Sequence, residues 1–250
     1  MNAEKGTAER RSEIIHLLAH AGSVDVADLA ARFSVAAPTV RRDLEWLVEQ
    51  GLAQRVRGGA VAVQGRMAAD QVDSAVARIG QAALGLVQNG ETVFISPGRL
   101  TLQVARALAE REHLTIVTNG LGIAMAVAEG TTHNLILTGG QLERENQGLG
   151  GHLAQAALDE LRADRVFLEL SGVSAVAGLT DDNLAHADLA RRLLQLGAQT
   201  AVVVAPERLG RVAAGFIGPA TEVDTVITAR EADAAPLWDL TELGVYVLLA

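Results

Sequence analysis

Val35-Ala36-Ala37-Pro38-Thr39-Val40-Arg41-Arg42-Asp43-Leu44 reads as the opening of a helix with two adjacent arginines near its start. Pro38 suits the first turn, where its missing N–H leaves nothing unpaired. Val40, Leu44, Leu47 and Val48 recur at helical spacing as a buried stripe, and Arg41, Arg42 and Glu45 fall outside it. The helix is expected from about Ala37 to Gln50, stopped by Gly51. Before it, Asp25 leads into a shorter helix over Val26–Phe33 with Leu29, Ala30 and Phe33 on one face. Ser34-Val35-Ala36 makes the turn between the two. Two helices joined tightly, the second basic near its start, suit entry into a DNA major groove. Arg41 or Arg42 can then donate a bidentate pair to guanine, and Thr39 can reach a phosphate or a base edge. On these residues alone, a solvated face with local ion pairs over Arg41–Asp43 fits equally well.

The next residues favour the DNA-reading alternative. Leu52–Val63 alternates around Gly58-Gly59, a two-glycine turn between short strands. A hairpin directly after such a helix is a wing, with Arg55 and Arg57 along its DNA side as phosphate contacts and Gly58 and Gly59 at its tip. Upstream, Ile14, Ile15, Leu17 and Leu18 mark a helix over Glu9–His20 that stops near Gly22. His16 and His20 lie four apart on it without a third ligand nearby, so they read as solvent-facing, and no metal site is expected.

The bulk properties agree with a two-part protein. The 250 residues are 49% hydrophobic and 20% charged, enough for a sizeable core, with only 3% aromatics. There is no cysteine, which excludes disulfides and thiolate metal sites. No apolar run of about 20 residues is present, so neither secretion nor a membrane span is expected, and a cytoplasmic location is the default. Residues 1–66 carry Lys5 and eight arginines against eight acids, a net +1, and the remainder carries −10 of the total −9. An acidic body with an arginine-clustered head confines DNA to one end of the molecule. The division expected is a head over 1–63, a polar linker over 64–72 and a body over 73–250.

In the body, helical and apolar-strand patterns alternate. Strands are expected at Thr92–Ile95, Leu114–Thr118, Asn134–Thr138, Val166–Leu170, Thr200–Val204, Thr225–Thr228 and Val245–Leu249. The intervening helices fall at Val72–Val87, Thr101–Arg111, Leu121–Ala128, Leu153–Leu161 and Ala187–Leu196. Strands apolar on both faces and alternating with helices indicate an α/β domain with a mainly parallel sheet. Its ligands belong beyond the carboxyl ends of the strands, at Ser96-Pro97-Gly98, Thr118-Asn119-Gly120, Thr138-Gly139-Gly140 and Ser171-Gly172. Small residues with free N–H groups at four strand ends can cradle an anion such as phosphate, or merely turn strand into helix. A dinucleotide fingerprint at Gly120-Leu121-Gly122 fails, because Met125 stands at the last glycine position and the next strand ends in Thr138 instead of an acid. Thr180-Asp181-Asp182-Asn183 lacks the rest of a calcium loop and reads as a solvated turn.

From Arg10-Arg11 through Val24–Ala30, Val35–Leu44 and Gly51–Ala60, the head closely resembles the DeoR-type bacterial transcriptional regulators. The body resembles their sugar-phosphate-sensing domain at Leu114–Asn119, Thr138–Gly140, Phe167, Ser171-Gly172, Gly178–Thr180 and Arg208–Gly210. The resemblance implies a ribose-5-phosphate isomerase-like body, a phosphorylated sugar as effector and a symmetric oligomer, dimer or tetramer, on a double-stranded operator. No cofactor is implied. Carried onto this chain, the effector residues are Gly98, Arg99, Thr101, Asn119, Gly120, Gly139, Gly140, Gly172, Arg191 and Arg208.

Departures fall at both ends. Ala36 stands where the family usually has a capping serine, a loss of about 1 kcal/mol. The family's Asp-Ala-Gly-Thr-Thr-Thr is here Ser96-Pro97-Gly98-Arg99-Leu100-Thr101. Its Glu-Ala-Glu-Val-Lys-Arg is His186-Ala187-Asp188-Leu189-Ala190-Arg191, and its Asp-Ser-Ser-Lys is Ala205-Pro206-Glu207-Arg208. Either Arg99 and Arg208 offer new guanidinium forks to an anion, or Arg99 fills the pocket and leaves a body that only dimerises. A retained but altered site is the expectation. An isomerase-like enzyme with an appended head is the competing class, disfavoured because titratable groups needed for acid–base work are lost.

Overall fold

The computed structural model describes residues 7, 10, 11, 13, 14, 17, 18, 23–49, 53–56, 58–62, 66–144, 146–196 and 198–250. It divides into two compact units, Met1–Ser74 and Ala75–Ala250.

In the first unit β1 (Ser23–Asp25), α1 (Val26–Phe33), α2 (Ala37–Glu49), β2 (Ala53–Val56) and β3 (Gly59–Ala62) follow in order. Helix α1 starts where Asp25, itself extended, accepts the Ala27 N–H at 2.7 Å. It ends at Ser34, whose φ of 54° turns the chain towards α2. With no side-chain oxygen at Ala36, its carbonyl takes the Thr39 N–H at 2.9 Å and starts the ladder of α2. The strands form an antiparallel sheet in the order β1-β3-β2. Val56 pairs with Gly59, so the hairpin loop is two residues long, with Gly58 at φ 92°.

Ile14, Leu18, Leu29, Val40, Leu44 and Leu47 share one core. Val48, expected in the buried stripe, is 37% exposed, because it lies about a quarter-turn round the helix from Val40. The described residues between 7 and 18 are helical. Ile15, His16, His20, Gly22, Gly51 and Arg57 lie outside the described residues.

The segment expected as a linker is helical from Arg66, since α3 spans Arg66–Leu84. Met67, Ala68, Ala69 and Gln71 are strong helix formers with no glycine or proline among them, so a small, polar composition does not interrupt the helix.

The remaining elements are β4 (Thr92–Ile95), α4 (Arg99–Ala107), β5 (Thr115–Thr118), α5 (Leu121–Gly130), β6 (Asn134–Leu137), β7 (Gln141–Glu143) and β8 (Gly148–Gly150). After them come α6 (Gly151–Asp159), β9 (Arg165–Glu169), β10 (Gly172–Ser174), β11 (Gly178–Asp181), α7 (Leu184–Leu194) and β12 (Gln199–Val203). Strands β13 (Gly215–Gly218) and β14 (Thr225–Thr228), helix α8 (Ala234–Glu242) and β15 (Tyr246–Leu249) complete the unit.

Seven strands form one parallel sheet in the order β15-β14-β12-β9-β4-β5-β6. Alternate residues of each strand feed opposite cores. Val93 and Ile95 pack with α3, α4 and α5 on one face, and Phe94 packs with α6 and α7 on the other. Two smaller sheets depart from expectation. The glycine-rich stretch before Gly151 contains the antiparallel β7–β8 pair, and β10-β11-β13 form an antiparallel sheet beside the main one. Thr180 and Asp181, expected in a solvated turn, close β11 and are buried.

The chain starts the sheet at β4, steps outward to β5 and β6, then returns to lay β9 on the other side of β4. The crevice outside the carboxyl ends of β4 and β9 is therefore the topological switch point, where such sheets hold their ligands.

Candidate functional site

On α2 the expected basic face splits in two. Asp43 turns inward and is 2% exposed, accepting Arg10 Nε at 2.6 Å and Arg11 Nε at 2.9 Å. The Arg11 guanidinium also lies 4.5 Å from the centre of the Trp46 ring, within cation–π range. Arg41 and Arg42 point outward, exposed and without an ion pair among the described residues, and Thr39 is half-buried beside them. Arg55 on β2 is exposed and 3.8 Å from Glu45. Gly58 is exposed at the hairpin tip, but Gly59 is buried: a Cβ there would lie 1.9 Å from the Val24 carbonyl. Its smallness lets β1 pair with β3, so it supports the hairpin and offers no outer surface.

At the switch point of the body lies a cavity of about 460 Å³. Pro97 and Gly98 from the end of β4, Glu169 and Ser171 from the end of β9, and Asp181, Asp182, Asn183 and His186 from the β11–α7 junction line it, with Asn146 and Arg208. A neighbouring cavity of about 430 Å³ shares Pro97, Gly98 and Asn146 and adds Arg99, Gly120 and Gly122. Of the effector residues expected from sequence, Gly98, Arg99, Gly120 and Arg208 line one or both cavities. Thr101 is fully buried beneath them, and Asn119 is buried with its Nδ2 donating to the Leu149 carbonyl at 3.0 Å.

The other four line neither cavity. Gly139 and Gly140 turn the chain into β7, and a Cβ on Gly140 would meet the Gly150 carbonyl at 2.5 Å. Gly172 allows the Arg211 backbone to approach β10, with its own added Cβ 2.4 Å from that carbonyl. Arg191 projects from α7 to Asp188 at 3.6 Å. Close backbone neighbours keep Gly140 and Gly172 small.

Glu169 is the group that sequence reasoning missed. Its Oε2 accepts the N–H of Leu100 at 2.7 Å and of Thr101 at 3.2 Å, with the Thr101 hydroxyl at 3.5 Å. Burial pushes this carboxyl above its ordinary range, opposed by the Thr101 and Leu100 amides and by the charge of Arg208. Its backbone N–H donates to Ser96 Oγ at 3.0 Å, which ties the ends of β4 and β9 together. Asp181 sits 3.2 Å from His186 Nδ1 and accepts the amides of Ser171 and Asn183 at 3.1 and 2.9 Å. Arg211 holds Asp182 through two bonds of 2.9 Å each. The only signal for Glu169 in the sequence is an acid near the end of the apolar run Val166–Leu170.

A basic helix-turn-helix with a hairpin, followed by a parallel α/β unit with a cleft at its switch point, is the construction of a transcriptional regulator. Residues 10–66 match the DeoR-like helix-turn-helix domain, and residues 74–230 match the DeoR C terminal sensor domain. The chain belongs to the DeoR family of transcriptional regulators. It is 31% identical over 256 residues to a putative aga operon transcriptional repressor of Escherichia coli O157:H7, covering 98% of this chain and 94% of that protein. It is 30% identical to the glycerol-3-phosphate regulon repressor of Escherichia coli K12, covering 91% of each. Among solved structures, a probable sor operon regulator from Shigella flexneri aligns at 14% identity with a TM-score of 0.44, over 67% of this chain and 88% of that one. Among the described residues, no helix is long and apolar enough to cross a membrane.

Proposed function

We propose that this chain is a repressor that binds a double-stranded operator in the cytoplasm as a homo-oligomer and changes its operator affinity when a small phosphorylated metabolite enters the cleft. The outward placement of Arg41 and Arg42, unpaired among the described residues, on a helix locked from behind by Asp43 carries the DNA half of this reading. Thr39, Arg41 and Arg42 read base edges and adjacent phosphates, while Arg55, Arg57 and Gly58 run along the backbone and Gly59 holds the hairpin that presents them. Gly98, Arg99, Gly120 and Arg208 face the effector, backed by Thr101 and Asn119. The similarity to the glycerol-3-phosphate regulon repressor supports a sugar phosphate as the ligand class. The family's members are named as regulators, and the body acts here as a sensor without turnover.

Selection of genomic fragments by the purified chain, followed by titration of the bound fragment with sugar phosphates, tests both halves. Release of the fragment by one of these compounds is the expected result. Fragment binding that survives Arg41→Ala/Arg42→Ala unchanged removes the DNA assignment. Indifference to every phosphorylated compound removes the sensor assignment.

A further inference from the structure

The switch-point cleft already contains an anion belonging to the chain. Glu169 reaches from the end of β9 to the first turn of α4 and takes up the N–H groups of Leu100 and Thr101. First-turn N–H groups have no partner inside their own helix, and they favour negative charge. Gly98 makes the room for this, since a Cβ there would stand 2.1 Å from the same Oε2. A separate observation marks the cleft as a place for a ligand. His186 is 9% exposed and gives Nδ1 to Asp181, while its buried Nε2 has no partner among the described residues. Both residues line the same cavity as Arg208, whose charge acts on Glu169.

We propose that Glu169 is the specificity-determining residue of the cleft, a built-in carboxylate that stands where the phosphate of an effector would dock, so that a phosphorylated ligand binds only in exchange for it. This rests on the sensor reading above and adds the term that sets its threshold. A carboxylate and a phosphate cannot both occupy two adjacent amides, because like charges at that distance repel. The exchange leaves Arg208, which lines the same cavity, beside the incoming anion. The cleft thus binds a phosphate ester weakly, with the internal carboxylate as competitor.

Calorimetric titration of the full chain with inorganic phosphate near neutral pH tests this, using wild type, Glu169→Gln and Glu169→Ala. Both variants are expected to bind phosphate about tenfold or more tightly than wild type, the scale of one charge-assisted interaction. If Glu169→Ala fails to fold, Glu169→Gln, which keeps the shape and loses the charge, decides the matter. Phosphate affinity equal in wild type and folded variant, whether tight or absent, overturns the proposal. Operator binding by the same preparations keeps the two readings apart. A gain in phosphate affinity with operator binding indifferent to every ligand preserves the exchange and removes the sensor. Ligand-sensitive operator binding without a gain in the variants does the reverse.

Discussion

Asp43 and Arg10 lie 33 positions apart in the chain and meet at 2.6 Å, with the Asp43 side chain almost wholly withdrawn from solvent. Arg11 completes the arrangement from the same side at 2.9 Å. Removal of the carboxylate leaves two arginines that are partly exposed and can turn to water, so the loss stays below that of a stranded buried charge. Asp43→Ala is expected to destabilise the head by about 1–3 kcal/mol. A lower urea midpoint at unchanged slope for the head's transition is the measurement. An unchanged midpoint would show that the arginines do not hold this helix.

Arg41 and Arg42 should behave in the opposite way. Exposed and unpaired among the described residues, they contribute little to folding, so Arg42→Ala should leave the urea midpoint in place. Its operator affinity should fall by about 1–3 kcal/mol if the guanidinium reads a guanine, with discrimination relaxed at one base position. Binding curves on the selected operator and on single-base variants check this.

Two glycine-to-alanine changes should carry opposite signs. At Gly59 the new methyl would fall 1.9 Å from the Val24 carbonyl, so β1 must move away, at a cost of about 1–3 kcal/mol or more. At Gly130 a Cβ meets nothing within 4 Å and φ is not positive. Gly130→Ala should therefore stabilise the body, by about 0.4–1 kcal/mol, chiefly by restricting the unfolded chain. Thermal melts of the two variants should shift in opposite directions.

Two of the cleft carboxyls, Glu169 and Asp181, should give opposite pH dependences. Burial raises Glu169 above 4.5, so the folded state holds its proton more readily than the unfolded one. Its contribution to stability is complete below 4.5 and is lost as pH rises through the raised value. For Asp181, burial pushes upward, but the hydrogen bond and charge of His186 with the Asn183 and Ser171 amides hold it below 3.8. That contribution is present above 3.8 and is lost as pH falls through the lowered value. Stability of Glu169→Gln relative to wild type should rise as pH climbs past 4.5, whereas Asp181→Asn should lose the acid-side slope below 3.8. Stability–pH curves for both variants that run parallel to wild type would contradict these assignments.

The inner strands of the parallel sheet were legible because strands buried on both faces read as unbroken apolar runs, as in Thr92–Ile95 and Thr225–Thr228. Helix α2 was legible from Val40, Leu44 and Leu47. Strands β10, β11 and β13 were not, because three or four residues containing glycine are too few to show alternation. The enclosure of Asp43 was not legible for a different reason. Helical spacing sets the side of the helix, but only the Arg10-Arg11 pair determines that a charge on that side is enclosed. The cleft suffered most: Glu169, Asp181 and His186 are brought together by strand order, and strand order leaves no local mark. Glycines at four strand ends suggested one anion cradle, yet Gly140 and Gly172 answer to neighbouring backbone.

The hairpin of the head is fastened to the start of α1 by the Val26 N–H, which donates to the Gly58 carbonyl at 2.9 Å, next to the Asp25 cap. The tip of the hairpin and the leading end of that helix therefore have no separate way to fray. Opening one exposes the amide that closes the other, so the two should exchange their amide hydrogens with a single free energy. A local fluctuation at Gly58 is then a fluctuation of the helix-turn-helix itself.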